Sequence, residues 1–297
     1  MKSKLLVLGG SGLVGSTIVN YAKNNYDTIF SYNSNKINIS NTKSFQIDLL
    51  NDHTKIETII ENYKPNIIIN TIAHSSVDLC EEDHFIADKL HIETTKKIAN
   101  VCAKINSKLI FLSTDAVFEG KLNKQYVEND VANPINYYGE TKLKAEKIVL
   151  NASSNNVVLR TAVIYGSHKK SRFTNWILDY LKDGKSVDPF SDQFNTPTLV
   201  DDLVKAILKI IENNISGLYH ATGKTCVNRY EFSKLLAKKF SLDETLIYPV
   251  TKFEKKQYAP RPISTCLNST KLENLINFSF SDISSGIDFI FKKSKTN

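Results

Sequence analysis

The sequence predicts an α/β protein with a doubly wound parallel sheet and a smaller mixed α/β lobe. Three observations support this fold class. Short apolar runs, such as residues 4–8 and 66–70, alternate with segments of helical period, such as residues 52–63. Runs that are apolar throughout are typical of parallel strands covered on both faces. The first run leads directly into a glycine-rich turn at residues 9–15.

Composition and charge narrow the class of ligand. The 297 residues are 41% hydrophobic and 23% charged, which fits a globular protein with a large core. The formal net charge is +7, but the lysines are interspersed with acids rather than grouped in blocks. This pattern disfavours nucleic acid and favours a small anionic ligand. No apolar run approaches the roughly 20 residues that span a bilayer, so no membrane association is predicted.

Four cysteines are present, at positions 80, 102, 226 and 266, with no CxxC pair among them. The sequence predicts reduced, mostly buried thiols and no metal site. The chain starts in a strand, and no signal peptide is predicted. These features together predict a cytoplasmic protein.

The glycine-rich turn predicts a Rossmann-like dinucleotide site. Gly9, Gly12 and Gly15 join the first strand to an amphipathic helix. The first glycine allows a tight turn, the second lets a pyrophosphate approach the backbone, and the third lets helix and strand pack closely. Free N–H groups at the helix N-terminus would bind the phosphates. Ser11, Leu13 and Val14 belong to the same predicted site, and a plain glycine turn is the alternative.

The second and third strands bear on the choice of cofactor. Residues 28–32 are followed by Asn33, Ser34, Asn35 and Lys36, with no acid to hold a ribose 2′-hydroxyl. This absence favours NADP(H) over NAD(H), with Ser34 or Lys36 meeting the 2′-phosphate. A third strand is predicted at residues 45–49. Within it, Asp48 either faces the adenine edge or starts a turn.

Polar residues follow two further strands, where ligands lie in parallel sheets. His74 comes after the strand at residues 66–70 and either lines the site or acts in catalysis. Thr114 comes after the strand at residues 108–112. Its hydroxyl is predicted to donate to a substrate carbonyl, with a turn-capping role as the alternative.

Tyr138 and Lys142 are four residues apart in the segment that follows Pro134. At this spacing a helix places both on one face, one turn apart. A lysine ammonium beside a phenol favours the phenolate and so lowers the tyrosine pKa. Such a tyrosine can exchange a proton with a carbonyl oxygen near neutral pH. An ordinary surface pair is the alternative, because the chain contains thirteen tyrosines.

These motifs together resemble the extended short-chain dehydrogenase/reductase superfamily and, within it, the dTDP-4-dehydrorhamnose reductase family. The resemblance covers nearly the whole chain. The glycine turn and the Tyr138/Lys142 pair are marks of the superfamily. The more specific stretches are residues 73–78, 113–120, 137–143, 160–166 and 192–198, together with Arg261-Pro262.

The resemblance implies reduction of the 4-keto group of a nucleotide-linked 4-keto-6-deoxy sugar by NADPH or NADH. It implies that Tyr138 protonates the alkoxide, that Lys142 lowers the Tyr138 pKa and holds the nicotinamide ribose, and that Thr114 orients the carbonyl. The implied cofactor contacts also include Asn33, Leu49, Ala73, His74 and Tyr138. The implied substrate contacts are His74, Ser75, Val77, Asp115, Val163, Gln193 and Arg261.

Two positions differ from the family pattern. Val163 replaces a tryptophan that contacts the sugar, and His91 replaces an asparagine. The first difference changes the predicted sugar pocket. The one tryptophan present, Trp176, is predicted to pack in the core rather than to stack on a ligand.

Two lobes are predicted without a flexible linker. Residues 1–165 form the NAD(P)-binding domain, residues 199–226 return to it, and the remainder of residues 166–297 forms the substrate lobe. The predicted partner is a nucleotide-sugar, and a homodimer is left open. Two other functions also remain open. One is a non-catalytic NADP-binding regulatory subunit like that of methionine adenosyltransferase. The other is a nucleotide-sugar epimerase, which would show no net cofactor consumption.

Overall fold

The computed structural model describes residues 2–52 and 54–295, which form alternating strands and helices. In chain order, the strands are β1 (Lys4–Leu8), β2 (Asp27–Tyr32), β3 (Lys43–Gln46), β4 (Ile67–Asn70), β5 (Lys108–Thr114), β6 (Val157–Thr161), β7 (Ile164–Tyr165), β8 (Phe194–Asn195), β9 (Thr198–Leu199), β10 (Gly217–His220) and β11 (Val227–Asn228). The helices are α1 (Leu13–Ala22), α2 (Lys55–Tyr63), α3 (Val77–Glu82), α4 (His84–Ala87), α5 (Thr94–Lys104), α6 (Tyr137–Ala152), α7 (Arg172–Lys182), α8 (Val200–Glu212), α9 (Arg229–Phe240), α10 (Thr270–Ile276) and α11 (Ile283–Ser294). None of the helices in these ranges is long and apolar enough to cross a membrane.

A seven-stranded sheet forms the centre of the molecule, in the order β10-β6-β5-β4-β1-β2-β3. Every neighbouring pair in it is parallel. The predicted α/β fold with a doubly wound parallel sheet is therefore confirmed. The order changes direction between β1 and β4, and ligands bind in such sheets at the carboxyl ends of the strands beside this point. The glycine turn after β1 lies there.

Helices cover both faces of the sheet, which explains why its strands are apolar throughout. On one face, Ile18 of α1 and Leu203 of α8 pack against the sheet. On the other face, Ile56 of α2, Ile98 of α5 and Val149 of α6 do the same. These five side chains are fully buried. Burying an aliphatic side chain of this size contributes about 1.5–3 kcal/mol, so the two faces together fix the sheet between its helices.

The third strand ends earlier than the sequence predicts, at Gln46 instead of residue 49. The Ile47 amide makes the last bond across the strands, to the Tyr32 carbonyl at 2.9 Å. The Asp48 carboxylate then accepts from the Leu50 amide at 3.0 Å and closes a local turn. Asp48 therefore starts a turn, one of the two roles predicted for it, since its side chain competes with the strand for backbone donors.

Residues 84–104 form one long helical segment, which is not regular. Between α4 and α5 it widens into a π-helical segment, Asp88–Glu93. Thr94 follows this segment, and its hydroxyl donates back to the Lys89 carbonyl at 2.8 Å. Wide turns of this kind are frequent at functional sites. The segment places His91 in the interior, with 1% of its surface exposed.

A third core cluster lies away from the sheet, between α7, α9 and α11. Its centre is formed by Ile177, Leu236 and Ile287, and Phe232 contacts Tyr165 edge to face at 5.0 Å. The short pairs β7/β9 and β8/β11 join this cluster to the rest of the chain. β10 pairs with β6 in the main sheet. The division into two domains remains a prediction.

The prediction for two of the four cysteines is wrong, because Cys226 and Cys266 form a disulfide across a sequence separation of 40 residues. Cys80 and Cys102 are free and buried, as predicted. Spacing alone could not reveal the bond. It joins the residues before β11 to a C-terminal loop, and only the folded chain brings these segments to a Cα–Cα distance of 5.5 Å.

We expect Cys226→Ser to lower the free energy of unfolding by about 2–4 kcal/mol, because the disulfide removes conformational entropy from the unfolded chain. Urea denaturation of the oxidised protein and of the variant would measure the difference. Reduced wild type should unfold at the midpoint of the variant, and reductant should not affect the variant further. Four reactive thiols in the non-reduced, denatured protein would contradict the bond.

Candidate active site

The glycine turn has the geometry that a bound pyrophosphate needs. Gly9 has a φ of +82°, a conformation that other residues rarely adopt. A Cβ atom on Gly15 would lie 2.3 Å from the Gly9 carbonyl oxygen, so only glycine allows α1 to approach the turn. Gly12 is the N-cap of α1 and, being a glycine, has no side chain to cap this end of the helix. Its N–H groups can therefore bind an anion.

A small cavity of about 190 Å³ opens beside the glycine turn. It is lined by Gly9, Asn33, Asp48, Leu49 and Ala73, all predicted cofactor contacts, together with six further residues. The other predicted contacts of the turn lie outside this lining, at the start of α1: Ser11, Gly12, Leu13, Val14 and Gly15. Ser34 and Lys36 are exposed on the loop after β2, also outside the lining. An apolar cavity next to an anion site fits the adenosine half of a dinucleotide.

A larger cavity of about 560 Å³ is lined by Ser75, which belongs to residues 73–75, here called the junction loop. Eight predicted site residues line it: Ser75, Val77, Thr114, Asp115, Tyr138, Val163, Gln193 and Arg261. Ala73 lines the small cavity and Ser75 lines the large one, so the junction loop borders both spaces. His74 and Lys142 are absent from both linings.

Tyr138 and Lys142 lie on one face of α6, as predicted, but their chemistry differs from the prediction. The Lys142 ammonium donates to the Leu112 carbonyl at 2.6 Å and lies over the Phe111 ring at 4.0 Å. Burial raises the pKa of the Tyr138 phenol above its ordinary value. The predicted lowering of the Tyr138 pKa is therefore wrong, because burial of the phenol has the largest effect on it. Burial also lowers the pKa of Lys142 to about 7.

Thr114 and Asp115 hold a polar network on the floor of the larger cavity. The Thr114 hydroxyl lies 3.1 Å from Asp115, and its hydrogen bond to Tyr138 partly opposes the rise in the tyrosine pKa. It also accepts from the Ala116 amide at 3.1 Å, so the turn-capping role is present, and donation to a substrate carbonyl stays a prediction. Asp115 is buried and accepts from Thr265 and from Asn195. Burial raises the pKa of its carboxyl.

Cationic side chains surround the larger cavity. Arg229, Arg261 and Lys255 line it, with Asp188 as a counter-charge. Arg261 donates to the Asp78 carboxylate at 2.9 Å and to the Ala259 carbonyl at 2.9 Å. These contacts fix the orientation of its guanidinium. Arginine donors arranged in this way suit a phosphate or diphosphate.

Sequence reasoning missed several residues that line this cavity. They are Asn136, Arg172, Phe173, Trp176, Asn195, Arg229, Lys255, Gln257 and Thr265. Trp176, predicted to pack in the core, both contacts Phe173 at 6.1 Å and faces the cavity. Arg229 gave no signal beyond its place at the start of a helix. The folding of distant segments around the cavity, which no local pattern shows, brings these residues together.

Two predicted residues have unusual surroundings. The His74 imidazole lies near the Cys80 thiol, with 3.9 Å between Nδ1 and Sγ. Val163 has a φ of +35°, which is strained for a β-branched residue. Its carbonyl accepts from the Thr198 amide at 3.1 Å, a bond that helps to hold this conformation. Strain retained in a cavity wall is typical of functional positions.

A parallel sheet with a glycine turn at its switch point, and with Thr114, Tyr138 and Lys142 beside it, defines the dinucleotide-dependent dehydrogenase/reductase class of proteins. The RmlD substrate binding domain family matches residues 3–295. The chain belongs to this family, within the extended short-chain dehydrogenase/reductase superfamily. The resemblance found in the sequence is therefore confirmed.

Similar proteins include two different kinds of relative. A dTDP-4-dehydrorhamnose reductase of Aggregatibacter actinomycetemcomitans is 27% identical over 293 residues, which is 94% of this chain and 95% of that protein. Methionine adenosyltransferase 2 subunit beta of Xenopus tropicalis is 29% identical over 282 residues, or 92% of this chain and 82% of that protein. The fold is shared with a dTDP-4-dehydrorhamnose reductase of Bacillus anthracis solved in complex with NADP. That structure has a TM-score of 0.85 and 23% identity, and the match covers 99% of this chain and 100% of that one.

Proposed function

We propose that this protein is an NAD(P)H-dependent reductase of the 4-keto group of a nucleotide-linked 4-keto-6-deoxy sugar. The observation that carries the proposal is a pair of cavities bordered by the junction loop, the larger of which is lined by Thr114 and Tyr138. The small cavity has the glycine turn of a dinucleotide site. The large one has a phenol and a hydroxyl on its wall and several cations at its edge. The whole-chain likeness to reductases of this kind supports the same function.

The residues of the small cavity and the turn fit a dinucleotide. The uncapped end of α1 would bind the pyrophosphate, and the wall formed by Asp48, Leu49 and Ala73 would hold the adenosine. A bound reduced nicotinamide would supply the hydride for the reduction. With no acid after Tyr32 to bind a ribose 2′-hydroxyl, we propose NADPH as the preferred cofactor, with Ser34 or Lys36 near its 2′-phosphate.

The protein's own side chains would then supply the proton and orient the carbonyl group of the sugar. Tyr138 is protonated at neutral pH, which is the form that a proton donor needs. Its phenol would give this proton to the oxygen of the reduced carbonyl. The Thr114 hydroxyl would hold the carbonyl oxygen toward Tyr138. Lys142, buried beneath Tyr138, would hold the nicotinamide ribose if its ammonium turned from the Leu112 carbonyl.

The larger cavity has room and charge for a nucleotide-sugar. The guanidinium groups of Arg229 and Arg261 suit the diphosphate. Val163 contributes a small side chain to the cavity wall, and the sugar would lie against it. Ser75, Val77, Asp115, Gln193 and the neighbouring His74 are the other proposed substrate contacts.

The decisive experiment follows NADPH absorbance with dTDP-4-dehydrorhamnose as substrate. We expect NADPH oxidation with one reduced sugar formed per cofactor, and a slower reaction with NADH. Equal rates and affinities for both cofactors would contradict the NADPH preference alone. If NADPH binds but neither this nor any other nucleotide-linked 4-keto sugar is reduced, the proposed function is wrong.

A regulatory subunit is the second candidate, because a methionine adenosyltransferase 2 subunit beta is similar over most of the chain. The presence of Thr114, Tyr138 and Lys142 around a substrate-sized cavity favours the enzyme. Stable association with a methionine adenosyltransferase, together with cofactor binding and no turnover, would favour the regulatory role.

A further inference from the structure

The buried imidazole of His91 connects two separate parts of the candidate active site. The His74 amide, in the junction loop, donates to His91 Nε2 at 2.9 Å. On the other side of the ring, Nδ1 lies 2.8 Å from the Thr141 hydroxyl. The Thr141 hydroxyl in turn donates to the Tyr138 carbonyl at 2.9 Å. This chain of bonds runs from the junction loop to the first turn of α6.

The bonds define the protonation of the ring. A backbone amide can only donate, so Nε2 accepts and carries no proton. A neutral imidazole then has its proton on Nδ1, which donates to Thr141. Thr141 has its own hydrogen directed to Tyr138, so its oxygen is free to accept. Both ring nitrogens of His91 and the hydroxyl of Thr141 are therefore paired. The two side chains are at most 1% exposed.

The surroundings keep the ring neutral. Burial lowers the pKa of His91 to about 3, and the neighbouring Lys142 and His74 act in the same direction. The ring also packs edge to face against the Tyr138 ring, with centroids 5.6 Å apart. A neutral ring of fixed tautomer donates through one nitrogen and accepts through the other. It therefore holds the two segments that it joins at a fixed separation.

We infer that His91 is a positioning residue: its imidazole fixes the junction loop against the first turn of α6 and so sets the position of Tyr138 in the wall of the larger cavity. The inference rests on the proposed reduction. His91 lines neither cavity, so it would act through the loop and through Tyr138. Small errors in the placement of a proton donor reduce turnover strongly, by up to about 100-fold for a displacement of about 1 Å.

The test compares kcat per NADPH-binding site in four variants. His91→Leu removes both bonds and should lower kcat by about 10–100-fold, with NADPH affinity little changed. Thr141→Val removes only the link to α6 and should also lower kcat. The double variant should be no slower than His91→Leu, since both residues serve one connection. His91→Gln, whose amide offers one acceptor and one donor, should recover part of the loss.

Thr94→Val is the matched control, because it removes a buried hydrogen bond from the same π-helical segment without touching either partner of His91. It should lose stability but keep its kcat per site. Equal kcat losses in His91→Leu and Thr94→Val would overturn the inference. If His91→Leu does not fold, an unchanged kcat in Thr141→Val has the same meaning.

Two NMR measurements separate this inference from the proposed function. The ¹⁵N signals of His91 should show the Nδ1–H tautomer, and an Nε2–H tautomer would overturn the inference. The ¹³Cζ signal of Tyr138 should shift in His91→Leu and stay in place in Thr94→Val. An unchanged Tyr138 signal in His91→Leu would overturn the inference whether or not the protein reduces a sugar, while absent turnover in wild type would reject only the reductase.

Discussion

Replacing Tyr138 with phenylalanine is expected to lower kcat for 4-keto sugar reduction by about 10²–10⁴-fold, the usual contribution of a positioned general acid. The phenol lies on the cavity wall and is protonated at neutral pH, so it can act as the proton donor. Phenylalanine keeps the ring and its packing against His91. NADPH should therefore still bind, and the loss should lie in kcat rather than in cofactor affinity. Steady-state rates and a cofactor titration would measure both.

Tyr137→Phe provides the matched control. Tyr137 is the neighbouring residue, but its hydroxyl donates to Asp88 at 2.8 Å and its ring stacks on His84, outside the cavity. Removing this hydroxyl should leave kcat unchanged. A Tyr138→Phe enzyme that is as fast as wild type would show that another group delivers the proton. The buried Asp115 carboxyl, whose pKa is also raised, would then be the next candidate.

Much of the fold could be predicted because the signals were local. Strands buried on both faces are apolar throughout, and the glycine turn follows β1 directly, so both appear as contiguous patterns. The Tyr138/Lys142 spacing likewise determines their common face on α6. The prediction that failed concerned the pKa of Tyr138, which depends on burial. A lysine four residues away suggested a lowered tyrosine pKa, but burial of the phenol raises this pKa.

Other features could not be predicted because they join distant parts of the chain. The Cys226–Cys266 bond and the Asp115–Thr265 contact connect segments that only the folded protein brings together. His91 was visible in the sequence only as a departure from a family pattern. Its two bonds depend on the π-helical segment, which has no clear signature in the sequence. Sequence periodicity does not reveal connections of this kind.

Glu146→Leu is expected to lower the free energy of unfolding by about 3–5 kcal/mol, because it leaves the Arg160 charge buried without a partner. Glu146 accepts from Arg160 Nε at 2.9 Å and from Nη2 at 2.7 Å, and it also accepts from the Ser113 hydroxyl. The two charged residues are at most 4% exposed. Urea denaturation, compared with that of wild type, would measure the loss.

The position of this ion pair makes the same change informative about the site. Glu146 lies on α6, two turns beyond Tyr138, and Ser113 directly precedes Thr114 at the end of β5. The pair therefore ties the helix that carries the proton donor to the strand that carries the Thr114 hydroxyl. We expect the Glu146→Leu protein that remains folded to have a lower kcat as well, since the relative placement of these two groups is no longer fixed.

Two further variants distinguish a buried charge from a general loss of packing. In Glu146→Leu/Arg160→Met both charges are replaced by apolar groups, and most of the stability should return, because no charge remains buried and unpaired. Glu61→Gln breaks the exposed ion pair with Lys104 and should change stability by only about 0–1 kcal/mol. If Glu146→Leu were as mild as Glu61→Gln, or if the double variant were no more stable than Glu146→Leu, the loss would not come from the unpaired Arg160.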